Sequence, residues 1–334
     1  MGARAGMQFH AGERAAQARA GAAPRTAAIR AWMPDQHRQF FAALLFVIVA
    51  TIDKDGWPIA TILAGPPGFI ASPDARTLRI AALPDRDDPA ASWLNPGAPI
   101  ALLGIDFATR RRNRANGVIV DTQCGLVVAV RESFGNCPQY IHIRDINTNR
   151  AVPQAPELMD RLDPSGRDAI AAADTLFVAT SGGAEGVDIS HRGGKPGFIR
   201  VDQDTLTIPD FAGNRYFNTL GNMLLDPRAA LLFPDFSRGN LLQVQGRTEI
   251  DWEVPENERL AGAERLWRLN VTRVWRRRVT LPCVGRCRCC HRALREPEVG
   301  SFFSRRPPTT LHCFCASVNR VARRSRGCAL ASPD

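Results

Sequence analysis

Hydrophobic and polar positions alternate in short bursts along most of the chain, bounded by Gly, Pro and Asp. This is the pattern of short β-strands joined by tight connections. Residues 46–52 (FVIVATI) run into Asp53-Lys54-Asp55-Gly56, a turn signal, and 57–63 return as a second strand, so a hairpin is predicted. In front of it, 32–45 read as a helix with Phe40, Phe41, Leu44 and Leu45 on its packing side. Residues 128–144 predict a strand, a Gly135-Asn136 turn and a helix opening near Pro138, while 147–156 read as a connector and 160–173 as a helix. Alternation at 187–189 leads to Ser190, His191 and Arg192, followed by short apolar runs at 197–201 and 206–208. A helix is then expected from near Asn214, with Tyr216, Phe217, Leu220, Met223 and Leu224 on its apolar side and Asp226-Pro227 closing it.

The pattern occurs twice. Residues 45–80 resemble 176–208, with LFVIVAT against LFVAT and AGPPGFIASPDARTLRI against GGKPGFIRVDQDTLTI. Asn95-Pro96 precedes 98–105 as Asp226-Pro227 precedes 229–233, and Gly117 falls near the place of Gly246. The chain reads as a tandem duplication with an offset of about 130 residues. Each copy is a strand-rich unit with a short helix, and alternation at 241–250 completes the second. The fold class predicted is mainly β with short helices (α+β), as small barrels in tandem. The expected divisions are an N-terminal segment, helical or loosely ordered, at 1–36, a first copy at 37–145, a connector at 146–160, a second copy at 161–282 and a tail at 283–334.

Composition changes this picture mainly in the tail. The chain of 334 residues carries +10, but +7 of that lies in residues 283–334, which hold ten Arg, no Lys and three acids. The body is therefore not especially basic, and no nucleic-acid partner is expected. Only Cys124 and Cys137 lie in the body, which implies a reducing compartment and a cytoplasmic protein. The longest apolar stretch, 40–50, is well short of the roughly 20 residues a membrane helix needs. The N-terminal Ala/Arg-rich segment contains Glu13 and lacks Ser, which weighs against a transit peptide.

Candidate chemistry gathers in the second copy. Asn214, Asn218 and Asn222 fall four apart on the polar side of the expected helix, with Arg215 and Thr219 beside them. A helix start offers free N–H groups and a positive dipole end to a phosphate, with Arg192 and Arg215 as countercharge. The other reading is a solvated polar helix face. The first copy discriminates between them, because Thr61, Ile62 and Leu63 stand where Ser190, His191 and Arg192 stand, and 89–94 lack the Asn spacing. The fold alone does not require the polar set.

These residues resemble the pyridoxamine 5'-phosphate oxidase-like, FMN-binding split-barrel family. The likeness rests on SHRGGKPGFIRV at 190–201, LTIPDFAGNRYFNTLGNMLLDPRAALLF at 206–233 and VQGR at 244–247. FHAGE at 9–13, MPDQHRQFF at 33–41 and GNCPQYI at 135–141 look like a two-copy branch of it. The resemblance implies tandem split β-barrels, FMN in a groove between them, and two-electron transfer with NAD(P)H and a small-molecule substrate. Carried over, the FMN-binding residues are Ser190, Arg192, Arg215, Asn218, Thr219 and Asn222. The family's basic pair inside this helix is absent, Asn218 and Thr219 standing in its place. The two copies would form an internal pseudo-dimer with one active groove, or the chain a homodimer. A flavin or tetrapyrrole binding protein without turnover is the alternative.

Other features are read as structural. His191 is expected at an exposed strand end, with His37 and His142 in structural roles and Cys137 without a redox partner. Arg110, Arg111, Arg112 and Arg114 are expected at a solvated hairpin tip, the alternative being a phosphate clamp reaching the groove. The tail's CRCCH at 287–291 and HCFC at 312–315 superficially look like zinc ligands, but the abrupt change of composition fits translation in a shifted frame or a disordered extension better.

Overall fold

The structure, a computed structural model, describes residues 9–22, 28–148, 154–256, 260–278 and 283–287. Helices α1 (Ala11–Arg19) and α2 (Asp35–Ala42) precede the first set of strands. These are β1 (Phe46–Ile52), β2 (Pro58–Ala64), β3 (Ile70–Ala71), β4 (Thr77–Ile80), β5 (Pro99–Asp106), β6 (Arg111–Asp121) and β7 (Leu126–Gly135). Strands β8 (Arg144–Thr148) and β9 (Glu157–Met159) and helix α3 (Pro164–Ala172) connect to the second set. That set is β10 (Thr175–Ser181), β11 (Val187–Gly193), β12 (Arg200–Asp202), β13 (Thr205–Phe211), helix α4 (Asn218–Leu225), β14 (Arg228–Asp235), β15 (Asn240–Asp251) and β16 (Ala263–Arg277). Strand β17 (Cys283–Cys287) pairs with β8.

The first sheet runs β2-β1-β5-β6-β7-β4-β3 and the main path of the second runs β11-β10-β14-β15-β16-β13-β12, so the strand order repeats element for element. Registers repeat as well: Val49 faces Thr61 as Val178 faces Ser190, and Leu102 faces Ala115 as Leu231 faces Val244. The protein is mainly β, two curled antiparallel sheets with few short helices, as tandem split barrels require.

Alternation decides what each strand face packs against. In β1, Val47 and Val49 enter the core of the first copy, with Phe41, Leu78, Leu102 and Val128. In β10, Leu176 and Val178 enter that of the second, with Ile208, Leu231 and Trp267. The opposite faces, Phe46 and Ile48 of β1 and Phe177 and Ala179 of β10, meet in a third cluster belonging to both copies. Phe107 and Phe236, equivalent in the duplication, touch there edge-to-face with centroids 5.1 Å apart. Strands buried on both faces explain why β1 and β10 read as near-continuous apolar runs.

Several expected elements are corrected. The helix expected over 32–45 is confined to Asp35–Ala42, because Pro34 caps it at the front and the chain enters β1 at Phe46. The helix expected near Pro138 is absent: residues 136–143 form an irregular turn in which Tyr140 has φ 64. The helix expected from Asn214 begins only at Asn218, because Arg215 and Phe217 both adopt left-handed backbone, φ 57 and 61, and break the first turn. The helix expected over 160–173 starts at Pro164, capped by Asp163. Residues 283–287 form a strand, while the remainder of the tail, with most of its cysteines, lies outside the described residues. No helix among the described residues is long and apolar enough to cross a membrane, which says nothing about strands.

Helix α1 docks on α4 through glycine. A Cβ on Gly221 would lie 2.6 Å from the Glu13 Cα and backbone N, and one on Gly12 would lie 2.2 Å from the Gly221 carbonyl oxygen. Gly221→Ala is therefore expected to separate the helices and lower stability by about 1–3 kcal/mol, measured as a shift in urea midpoint with faster amide exchange in α1.

Candidate functional site

Of the helix-face residues singled out in the sequence, Asn218, Thr219 and Asn222 bond inward, while Arg215 stays exposed. Thr219, 2% exposed, donates from Oγ1 to Ser190 Oγ at 2.7 Å, and Asn218 donates to Glu13 Oε1 of α1. Asn222 instead turns away, donating to Thr180 Oγ1 of β10 at 3.1 Å, so it lies outside the cleft with which it was grouped.

Ser190, Arg192, Arg215, Asn218 and Thr219 line one cleft with residues of the first copy. Strand β11 supplies Ser190, His191 and Arg192, the irregular 213–217 segment supplies Arg215, and β16 supplies Arg265. Across from them, β6 contributes Arg112 and Arg114, which alternation places on the same face. This corrects the hairpin-tip reading for two of the four: Arg110 and Arg111 are exposed at the turn, but Arg114 is buried at 6% exposure and Arg112 is only partly exposed. The turn that closes the cleft carries Cys137 and Tyr140, whose ring stacks on Phe211 and whose hydroxyl donates to the Ala212 carbonyl. Gly193 is required opposite it, since a Cβ there would lie 2.1 Å from the Tyr140 carbonyl oxygen.

Charge in the cleft is arranged as a ladder. Arg192 meets Asp210 at 2.7 Å, Arg265 meets the other Asp210 oxygen at 2.6 Å, and Arg265 and Arg215 share Glu264 at 2.9 and 3.4 Å. Arg114 grips both oxygens of Asp188 at 2.9 and 2.8 Å and donates to Ser190 Oγ at 2.7 Å. Arg112 is different. Its Nε donates to the Cys137 carbonyl at 2.8 Å and its Nη1 meets His191 Nδ1 at 2.9 Å, and no carboxylate pairs with it among the described residues. Burial, with Arg114 and Arg192 close by, pushes its pKa down to about 9, so it remains cationic at neutral pH. Five arginines thus face three carboxylates, and the cleft is short of negative charge.

His191 is not exposed as expected but 5% accessible, packed against Phe177. Burial first, then Arg112, holds its pKa well below the ordinary histidine value. Because the guanidinium donates, the neutral ring accepts at Nδ1 and carries its proton on Nε2, which is buried without a partner. His37 bonds Ser133 Oγ and His142 bonds the Gly194 carbonyl, both away from the cleft. No group of three or more His, Cys, Asp or Glu among the described residues is placed to hold a metal.

The equivalent groove of the other copy is closed from within. Thr61, in the place of Ser190, donates to Asp88, which also pairs with Arg277, and Gln243, in the place of Arg114, donates to the Ala60 carbonyl at 2.8 Å. Burial raises the Asp88 pKa while Arg277 opposes it. One groove is polar and open; in the other Thr61, Asp88, Arg277 and the Gln243 amide N–H are paired internally, and Gln243 Oε1 is buried without a partner.

No family model and no curated protein matches the chain. Among solved structures, HupZ of Group A Streptococcus is similar at 19% identity over 34% of this chain and 91% of that one, with a TM-score of 0.28. A putative pyridoxamine 5'-phosphate oxidase from Lactobacillus delbrueckii is similar at 13% identity over 35% and 94%, with a TM-score of 0.29. A FAD-binding protein from Mesorhizobium loti is similar at 12% identity over 37% and 98%, with a TM-score of 0.26.

Proposed function

We propose that the cleft between the copies binds a flavin mononucleotide by its phosphate and that the chain is a flavin-dependent oxidoreductase acting on a small molecule. The observation that carries this reading is Arg112, a cation without a carboxylate partner, facing Arg192 and Arg114 beside the Ser190 and Thr219 hydroxyls. Buried Nε atoms of Arg114 and Arg192 also lack acceptors. The guanidinium donors fit a phosphate, which accepts from several N–H groups at once; the Thr219 and Ser190 hydroxyls already donate, to Ser190 and Asp188, and line the wall beside them. Arg112, Arg192 and Arg215 would hold it, with Ser190, Asn218 and Thr219 lining the wall. The motifs at 190–201 and 206–233 support the flavin as the group attached to that phosphate.

The room is limited. The cavity measures about 90 Å³, enough for a phosphate, whereas sites for whole cofactors are about 300–1,000 Å³. Binding therefore requires phosphate oxygens to replace Asp210 and Glu264 as partners of Arg192 and Arg215, and the mouth to widen at Arg215, whose side chain is 44% exposed. The bound flavin supplies two-electron chemistry; the protein supplies position and electrostatics. A second reading, a flavin or tetrapyrrole binder without turnover, is favoured by the same internal pairing, which leaves the site stable when empty.

Absorbance of the purified protein tests the cofactor. A flavin spectrum is expected, and Arg192→Ala combined with Arg215→Ala is expected to weaken FMN binding by about 10–100-fold. Anaerobic bleaching by NADH or NADPH separates the readings: bleaching supports turnover with a nicotinamide donor, and a flavin inert to both and to dithionite-free substrate screens supports storage or carriage. A protein that neither carries nor takes up FMN overturns both flavin versions.

A further inference from the structure

A second cavity, of about 570 Å³, lies in the first copy beneath α2 and the turn joining β5 to β6. Phe40, Leu44, Phe46 and Phe107 form its apolar wall, and Arg111 and Arg144 its cationic side. Arg144 is 6% exposed, with its guanidinium 5.6 and 5.2 Å from the ring centroids of Phe107 and Phe236. One of its nitrogens, Nη2, donates to Asp174, while Nε and Nη1 are buried without an acceptor. Leaving charged donors unsatisfied inside a protein is costly, so they mark a place where an acceptor belongs. Arg111 is exposed and lies over the Phe40 ring at 5.3 Å.

The second copy provides the comparison. Its equivalent cavity, between α3 and the turn joining β14 to β15, measures about 300 Å³. There Ala169 stands in the place of Phe40 and Asn240 in that of Arg111. The arginines lining it are matched: Arg276 pairs with Glu157 and Asp163, and Arg278 with Glu157. The fold therefore needs neither the aromatic wall nor the spare donors. Asp106 and Asp145 also line the first-copy cavity, so net charge does not choose its ligand. Asp106 is occupied by the turn, accepting from the Ala108 N–H and the Thr109 hydroxyl.

We propose that this cavity binds an amphipathic carboxylate, its apolar body on the Phe40, Leu44, Phe46 and Phe107 wall and its carboxylate taken by Arg144 and Arg111. Its size falls within the range of about 300–1,000 Å³ typical of small-molecule sites. The site is separate from the interdomain cleft and does not depend on what that cleft binds.

Calorimetric titration of the full chain with decanoate, 3-phenylpropionate and decanol tests the idea. At least one acid is expected to bind, and roughly tenfold or more tightly than decanol. The better acid shows whether the body is a chain or a ring. Ala108→Trp, at an exposed turn position lining the cavity, is expected to abolish binding without changing the melting temperature. Arg111→Met is expected to weaken binding roughly tenfold, and because Arg111 is exposed this variant keeps the fold when Arg144→Met does not. Failure of both acids to bind, equal binding of decanol, or unchanged binding in Ala108→Trp would overturn the proposal.

Discussion

Arg114→Ala is expected to cost about 3–5 kcal/mol of stability and to abolish anion binding in the cleft. The loss is large because three demands meet on one side chain. Arg114 and Asp188 are 8% and 7% exposed in their side chains, so removing the cation leaves a carboxylate buried without its partner. The same guanidinium holds Ser190 Oγ, reaches Asn218 Oδ1 at 3.3 Å and lies 5.2 Å over the Phe134 ring. It also comes from β6 of one copy while Asp188 comes from β11 of the other, so the pair ties the two sheets across the groove. Urea unfolding measures the cost. Arg114→Met combined with Asp188→Leu should recover most of the stability, since the pair is then replaced by apolar volume, yet it should not recover anion binding. A wild-type midpoint for Arg114→Ala would mean that the apolar cluster alone holds the copies together. Arg192→Ala provides the contrast: its side chain is 22% exposed and Asp210 keeps Arg265, so a smaller loss is expected.

The duplicated strand-rich architecture was legible because alternation and the repeated PGF segments report local geometry, and the equal registers of Val49 with Thr61 and Val178 with Ser190 bear out that alignment. What escaped was non-local. Arg112 and Arg114 belong to a run that looks like a charged hairpin tip, and their period-2 placement on one face of β6 was the available signal. That this face meets the other copy depends on how two sheets pack, which no single strand encodes. Arg265, Asp210 and Glu264 join the site through strand pairing within the second copy, where Asp210 of β13 stands opposite Arg265 of β16, a pairing of segments distant in sequence. The start of α4 was misplaced because the apolar spacing extends back to Tyr216, whereas the backbone at Arg215 and Phe217 is left-handed and admits no helical turn. His191 was expected in solvent because a strand end usually is exposed; here Phe177 and Arg112 cover it.

Glu13→Gln is expected to leave stability nearly unchanged at pH 4 and to raise it by about 3 kcal/mol relative to wild type above pH 7. Glu13 is 4% exposed, and its carboxylate accepts from the His10 N–H at 2.9 Å and from Asn218. Burial pushes its pKa up to about 7; the bonds from His10 and Asn218 pull against this, and nearby Asp188 and Glu132 add to the rise. His10 does not offset the charge, because burial lowers its own pKa and keeps it neutral. The sign follows from which state keeps the proton. Between the unfolded value near 4.5 and the folded value near 7, folded Glu13 holds a proton that the unfolded chain has released, so its contribution to stability falls as pH rises through that window and stays low above it. Gln preserves the capping box without a titrating proton. Taking the difference between variant and wild type from pH 4 to pH 8 removes the opposite trend from His10, His37 and His191, whose lowered values weaken the fold in acid. The same measurement reaches the cleft: Asn218 touches both Glu13 and Arg114, so ionisation of Glu13 changes the hydrogen bond that positions a lining residue. A flat difference across the range would mean that water reaches the carboxylate and that α1 does not seal it.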